Sequence, residues 1–176
     1  MTAAGFRCTQ EILNLDTSKL SDKQKSILAL YTYLSASEGH FSEAVHTITF
    51  LLMENHHDLY DAYRSKFVSK YEELDDLNIR VKLQFIEAHG FGFVVESFDR
   101  KLRNCIAHQG FLVEDNGDII DMKTGKKLTD RIETLRKTML LVGINASVTG
   151  IIAKALIPPT DKAIERINDS RRALKT

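Results

Sequence analysis

The chain has no tryptophan, and its 176 residues include only two prolines, two cysteines and nine glycines. Few prolines and glycines leave few points at which a helix must stop, so we expect long continuous elements. Two cysteines, Cys8 and Cys105, are too few for a disulfide framework, and no Cys-x-x-Cys spacing suggests a zinc site. The composition, 43% hydrophobic and 27% charged, is typical of one globular domain over residues 1–176.

The chain also lacks an excess of either charge, because 24 Lys and Arg residues balance 24 Asp and Glu residues. A protein that coats nucleic acid non-specifically usually carries a basic excess. Any contact with nucleic acid must therefore come from a local basic patch. Residues 1–10 contain no apolar segment of the kind found in signal peptides, so we expect a cytoplasmic protein with reduced thiols.

Residues 139–157 form one mostly apolar stretch that approaches the roughly 20 residues needed to span a bilayer. The stretch also contains Asn145, Ser147, Thr149 and Lys154. We therefore interpret it as a buried helix of a helical bundle and predict no membrane association.

Helical periodicity accounts for most of the N-terminal half. Ser21 and Gln24 fit a capping box that opens a first helix, which is expected to end around residues 37–39. A second helix is predicted from Ser42. The apolar faces of these two helices are Ile27, Leu30, Tyr31 and Leu34, then Ala44, Val45, Ile48, Leu51 and Leu52. A third helix is predicted from Asp58, and we interpret its aromatic stripe as core rather than as a base-stacking surface. The stripe is Tyr60, Tyr63, Phe67 and Tyr71.

The next segment, residues 74–88, fits both a strand and a helix, and we predict a helix because it contains no turn signal. Gly90 and Gly92 should separate it from a further helix over residues 93–107. The predicted buried side of that helix is Val94, Val95, Phe98, Leu102, Cys105 and Ile106. Gly110 is expected to end it in a left-handed conformation.

Two short strands, residues 111–113 and 119–120, then flank an Asn-Gly turn and predict a β-hairpin. Thr129 should cap a long helix that ends at Leu156 before Pro158 and Pro159, and a charged helix should follow over residues 161–174. The predicted fold is all-α, an up-and-down bundle of about five to seven helices with a small β-hairpin insertion. Small residues of the long helix form one stripe that allows another helix to approach closely, either within the protomer or across a dimer. The stripe is Gly143, Ala146, Gly150 and Ala153.

The segment from Lys101 to Gly110 contains the residue types that phosphodiester chemistry requires. Asn104 and His108 are four residues apart and share a helix face, and Arg103 is about 140° from His108 around the helix. A histidine can act as general base on a ribose 2′-hydroxyl, and an arginine suits phosphate oxygens. Arg100 and Lys101 add a basic cluster that can attract RNA.

This segment resembles the Arg-polar-x-x-x-His signature of the HEPN superfamily. The resemblance covers residues 75–157 and includes the Asn after the Arg, the Gly after the His and the hairpin that leads into a long helix. It implies a metal-independent endoribonuclease in a defence or toxin setting, which needs no cofactor and leaves 2′,3′-cyclic phosphate ends. The implied catalytic residues are Arg103, Asn104 and His108, with Arg100 and Lys101 as RNA-binding residues.

The resemblance also implies a homodimer in which both motifs face one cleft, with a protein antitoxin as a possible partner. The chain departs from HEPN toxins that carry a modified Tyr two residues after the His, since Gly110 stands there. Two alternatives stay open: a non-catalytic HEPN module that dimerises or binds RNA or nucleotide, and a helical scaffold in which Arg103 and His108 are structural. We predict no metal site at His56 and His57, because adjacent helical side chains diverge by about 100°.

Overall fold

The computed structural model describes residues 17–55, 58–61, 64–68 and 70–156. The helices are α1 (Asp22–Ser35), α2 (Ser42–Glu54), α3 (Ile79–Ala88), α4 (Gly92–Glu96), α5 (Arg100–Ala107) and α6 (Arg131–Leu156), with short 3₁₀ helices at Thr17–Lys19 and Tyr71–Leu74. The strands β1 (Leu59–Asp61) and β2 (Lys66–Val68) form an antiparallel pair. The strands β3 (Phe111–Val113), β4 (Ile119–Asp121) and β5 (Lys127–Thr129) form an antiparallel sheet in that order. The described chain is thus mostly helical with two small sheets, and a clear up-and-down bundle of five to seven helices is not evident in it.

The predicted capping box at the start of α1 is confirmed. The Gln24 N–H donates to Ser21 Oγ, and the Ser21 N–H donates to Gln24 Oε1 at 2.9 Å. The predicted end of this helix at residues 37–39 is wrong, because the chain continues as a π-helix over Ala36–Phe41 directly into α2. Gly39 does not break the helix, since its φ is negative and neighbouring turns remain hydrogen-bonded. The apolar face also differs, because Tyr33 is fully buried while Tyr31 is 46% exposed.

The predicted third helix from Asp58 is wrong. Leu59 and Asp61 are buried while Tyr60 between them is exposed, which is the two-residue period of a strand. Ser65, with a φ of 52°, lies in the turn that leads into β2. Tyr60 and Phe67 pair edge to face on the solvent side, 49% and 64% exposed, so these two aromatics are not core.

The prediction of a helix in residues 74–88 is confirmed, although α3 begins only at Ile79, directly after its N-cap residue Asn78. The predicted single helix over residues 93–107 is divided into α4 and α5 at residues 97–99. Asp99 caps α5 by accepting a hydrogen bond from the Leu102 N–H at 2.9 Å. A single helix would place this carboxylate in a helix interior, where it has no amide to accept from, so the cap favours the break.

The predicted hairpin around Gly117 is confirmed, and β5 extends it to three strands. Gly117 has a φ of 88° and its carbonyl accepts from the buried Ser26 hydroxyl at 2.7 Å, which docks the turn on α1. The predicted Thr129 cap of α6 is wrong, because Thr129 belongs to β5. Asp130 caps the helix instead, accepting from the Glu133 N–H at 3.0 Å.

Most of the core lies between α1, the π-helical segment, α2, α5 and α6, and a second cluster lies under β1 and β2. The larger cluster includes Leu30, Tyr33, Phe41, Val45, Ile86, Val94, Leu102, Ile106, Ile119 and Leu141. The smaller cluster is Leu59, Val68, Leu74, Leu77, Val81 and Phe85. Leu102 and Ile106 anchor α5 in the larger cluster, which leaves the opposite side of that helix for other contacts.

The prediction that residues 139–157 are buried is wrong for most of the described part, although Leu141 belongs to the core. Met139 is 76% exposed and Ile151 is 64% exposed. A Cβ added at Gly143 or Gly150 would meet nothing within 4 Å, so no described element packs on that part of the small-residue stripe. In the part of the chain that the structure describes, Arg131–Lys154 is long and apolar enough to cross a membrane by length and composition, with 17% of its most apolar window buried. The predicted stop at Pro158 and Pro159, the helix over residues 161–174, Cys8, His56, His57 and Tyr63 lie outside the described residues.

Candidate functional site

The helix α5 and its C-cap carry the residues of the motif, and Asp99 fixes the start of this helix. Besides capping α5, Asp99 accepts a hydrogen bond from Lys137 Nζ of α6 at 2.6 Å. Its backbone N–H donates to the Tyr33 hydroxyl at 3.0 Å, and that hydroxyl donates to the Asp99 carbonyl at 3.2 Å. Three elements, α1, α5 and α6, are therefore joined at the first turn of the motif helix.

The charge of Asp99 is stabilised in the folded chain. Burial alone would raise its pKa, but the hydrogen bonds from the Leu102 N–H and from Lys137 outweigh burial and hold the pKa below its ordinary value. Burial raises the pKa of the Tyr33 phenol far above its usual range, so Tyr33 stays neutral. Both groups are structural supports of α5.

The C-terminal end of α5 is a Schellman motif that ends at Gly110. The Gly110 N–H donates to the Cys105 carbonyl at 2.8 Å, and the Gln109 N–H donates to the Ile106 carbonyl at 3.0 Å. The expectation that Gly110 takes the left-handed conformation is wrong, because Gln109 takes it with a φ of 52°. His108 is the C-cap residue, and its side chain is exposed.

Cys105 lies beneath this turn and is unsuited to nucleophilic chemistry. Its thiol donates to the Gly110 carbonyl at 3.0 Å. Burial, together with the nearby Asp121 carboxylate, raises the pKa of the Cys105 thiol. A raised pKa leaves less of the reactive thiolate at neutral pH.

Arg103 is held between two side chains. Its Nε donates to Glu38 Oε1 at 2.5 Å, its Nη2 forms an ion pair with the same oxygen, and its Nη1 donates to Asn104 Oδ1 at 2.9 Å. Glu38 comes from the π-helical segment, 65 residues earlier in the chain. Arg103 is thus a bridge between α5 and that segment.

Arg103 and Asn104 line a cavity of about 300 Å³, which we call the polar pocket. The start of α3 and the start of α5 both open onto it, and Glu38 is the one acidic residue in its lining. The lining residues are Ser37, Glu38, Ser42, Asn78, Ile79, Phe98, Arg100, Arg103 and Asn104. The N-terminus of α3 and the two arginines favour an anion, so the pocket is chemically suited to phosphate.

The structure brings together three of the five predicted site residues and separates the other two from them. Arg100, Arg103 and Asn104 share the polar pocket. His108 does not line it, and lies five residues beyond Arg103, a rise of about 7.5 Å along an α-helix. Lys101 is directed elsewhere, because its Nζ pairs with Asp121 Oδ2 at 3.2 Å.

Sequence reasoning missed Glu38 and Asp99. Glu38 lies in the segment predicted as a helix end, and no local pattern in the sequence relates it to Arg103. Asp99 did carry a signal, since an Asp directly before an apolar-periodic segment is a typical N-cap. That signal was hidden by the continuous apolar periodicity over residues 93–107.

An apolar groove lies between α2, α4 and α6. Its cavity is about 570 Å³, and its lining is almost entirely aliphatic and aromatic, including Leu51, Phe93, Met139 and Ile151. Such a concentration of exposed apolar side chains is typical of an interaction surface. It contains no titratable group and is separate from the polar pocket.

Comparisons with protein-family models, with curated proteins and with solved structures gave no match. The geometry of α5 and the polar pocket therefore carries the functional argument.

Proposed function

We propose that the protein is a metal-independent endoribonuclease of the HEPN type, cytoplasmic, active as a homodimer and placed in a defence or toxin setting. His108 removes the proton of the 2′-hydroxyl, Arg103 stabilises the charge that develops on the phosphate, and Asn104 orients the phosphate. The 2′-oxygen attacks phosphorus as the bond from phosphorus to the 5′-oxygen breaks, the 5′-oxygen takes a proton from water, and a 2′,3′-cyclic phosphate remains.

The observation that carries the proposal is that Arg103 and Asn104 line the polar pocket while His108 is exposed at the end of the same helix. A buried histidine with both nitrogens occupied would have no access to substrate. The helix, hairpin and long-helix order of α5, β3, β4 and α6 is the order that the HEPN resemblance implies. A helical bundle of the HEPN type is part of this proposal.

A homodimer would compensate for the separation of Arg103 and His108. A two-fold axis brings each motif beside its own copy, so that His108 of one protomer can work with the Arg103 of the other. The apolar groove and the exposed face of α6 supply a surface for such a contact, because Met139 and Ile151 have no apolar cover in the described protomer.

The test is cleavage of single-stranded RNA in the presence of EDTA. We expect cyclic phosphate ends, and we expect His108→Ala to lower the rate by at least about 100-fold, as loss of a general base does. His89→Ala is a matched control, because His89 is also a helix C-cap residue, with a φ of −97° as in His108. Cleavage that survives His108→Ala, or that is lost equally in His89→Ala, would reject the assignment.

One observation favours a second candidate, a non-catalytic HEPN module that dimerises or binds RNA. Glu38 already satisfies the Arg103 guanidinium, which is what a structural ion pair would look like. This candidate predicts a dimer in light scattering and RNA binding without turnover.

A further inference from the structure

The Glu38 carboxylate occupies the Nε and Nη2 edge of the Arg103 guanidinium, an edge through which arginine binds phosphate. One Glu38 oxygen accepts a hydrogen bond from Nε of the guanidinium and forms an ion pair with Nη2. Asn104 Oδ1 accepts a hydrogen bond from Nη1. Phosphate oxygens bind arginine through the same planar set of N–H groups. A phosphate can therefore reach the Nε and Nη2 edge of Arg103 only by displacing Glu38.

The ion pair is weak enough to be displaced. The Arg103 side chain is 33% exposed and the Glu38 side chain is 49% exposed, so water screens both charges. Exposed pairs of this kind change an equilibrium constant by about fivefold at most. The Glu38 side chain can also move away from Arg103, because it faces solvent and can turn outward without burying its charge.

The surroundings favour an anion once Glu38 has left. Arg100 and Arg103 both line the polar pocket, and so does the N-terminus of α3 at Asn78 and Ile79. The N-terminal end of a helix carries partial positive charge. Removal of Glu38 would thus leave the lining with two arginines and no acidic side chain.

We infer that Glu38 is a resident counter-ion of the polar pocket, which a backbone phosphate of single-stranded RNA displaces, and that Glu38 thereby sets the affinity for RNA. This inference rests on the proposed function, because it takes RNA as the ligand. Glu38 acts through Arg103 and is not a catalytic residue. Its position in the π-helical segment makes the affinity depend on the geometry of that segment.

The test measures binding of a short, labelled, single-stranded 2′-O-methyl oligoribonucleotide by fluorescence anisotropy at fixed ionic strength. This probe has no free 2′-hydroxyl and is not cleaved. We expect Glu38→Gln to bind about two- to fivefold more tightly than the wild type. The control is Glu114→Gln, which removes an exposed carboxylate outside the polar pocket and should show a smaller gain. In an Arg103→Gln background the gain from Glu38→Gln should fall to that of Glu114→Gln, because Arg103 is no longer there to be released.

Two results would overturn the inference: a Glu38→Gln protein that binds no more tightly than Glu114→Gln, or an equal gain with and without Arg103. Absence of binding by all variants would overturn it as well. Glu38→Asp keeps the charge but shortens the reach, and should give an intermediate affinity if Glu38→Gln folds poorly. Cleavage of unmodified RNA is measured separately, so a gain in affinity without any cleavage rejects the nuclease while keeping the role of Glu38. Cleavage without the gain rejects only that role.

Discussion

Replacement of Asp99 tests whether the motif helix depends on its first turn. Asp99→Ala removes both the acceptor for the Leu102 N–H and the carboxylate that holds Lys137. Asp99→Asn keeps an oxygen for the cap but removes the charge opposite Lys137. The bonds between Asp99 and the Tyr33 hydroxyl use backbone atoms, so neither substitution removes them.

The magnitudes follow from these two contacts. Loss of an N-cap oxygen lowers the free energy of unfolding by about 0.5–2 kcal/mol. The Lys137 contact is charge-assisted and largely shielded, with side-chain exposures of 19% and 29%, and such bonds contribute about 1.5–3 kcal/mol. We expect a loss of about 2–5 kcal/mol for Asp99→Ala, which removes both contacts, and about 1.5–3 kcal/mol for Asp99→Asn, which removes only the charged one.

The contribution of the Asp99 carboxylate to stability should decrease at low pH. The pKa of Asp99 is lower in the folded chain than its unfolded value of about 3.9. The stabilisation by the carboxylate is therefore complete above about pH 4 and is lost as the pH falls through the folded pKa. The difference in unfolding free energy between the wild type and Asp99→Asn should shrink below pH 4.

Urea unfolding followed by far-UV circular dichroism measures these differences. Asp115→Ala is the control, because Asp115 pairs with Lys23 at a side-chain exposure of 97% and should change stability by less than about 0.5 kcal/mol. Equal losses in Asp99→Ala and Asp99→Asn would contradict a role for the cap. A loss in Asp99→Asn that is the same at pH 3 and pH 7 would contradict a role for the charge.

Two further predictions concern the glycines in the turns of the β3–β5 sheet and the thiol of Cys105. Gly117→Ala should be less stable than Gly125→Ala in urea unfolding, because both have positive φ but only at Gly117 would the new Cβ lie 3.0 Å from a buried hydroxyl oxygen. Equal losses, each about 1–2 kcal/mol from the left-handed backbone, would show that the contact is irrelevant. In a Cys8→Ser background, Cys105 should react with a disulfide reagent at neutral pH more slowly than after denaturation, because its thiol pKa is raised. A folded rate as fast as the denatured rate would refute that protection.

Local signals in the sequence predicted local structure well. The Ser21 capping box, the helix at residues 79–88 and the hairpin around Gly117 depend on residues close together in the chain, and all three are confirmed. The segment from Asp58 was misassigned because aromatic residues at spacings of three and four also fit a hairpin with a two-residue period. Its Leu59 and Asp61 are buried against a separate core cluster, which local periodicity does not reveal.

The candidate site was predictable only in part, for a similar reason. The sequence placed Arg103, Asn104 and His108 on one helix, and the structure has them on α5 and its C-cap. The partners that decide what those side chains do are distant: Glu38 is 65 residues from Arg103, and Lys137 is 38 residues from Asp99. Lys101 looked like part of the basic cluster, but Asp121 of the hairpin binds it.

The π-helical turn between Ser35 and Ser42 adds one more consequence. Deletion of a single residue there would allow ordinary α-helical bonding and would rotate everything before it by about 100° relative to everything after it. Because α1 and α2 are both packed in the core, such a shortened chain would have to give up either that packing or the approach of Glu38 to α5. The length of this one turn therefore determines both how α1 and α2 pack in the core and whether Glu38 reaches Arg103.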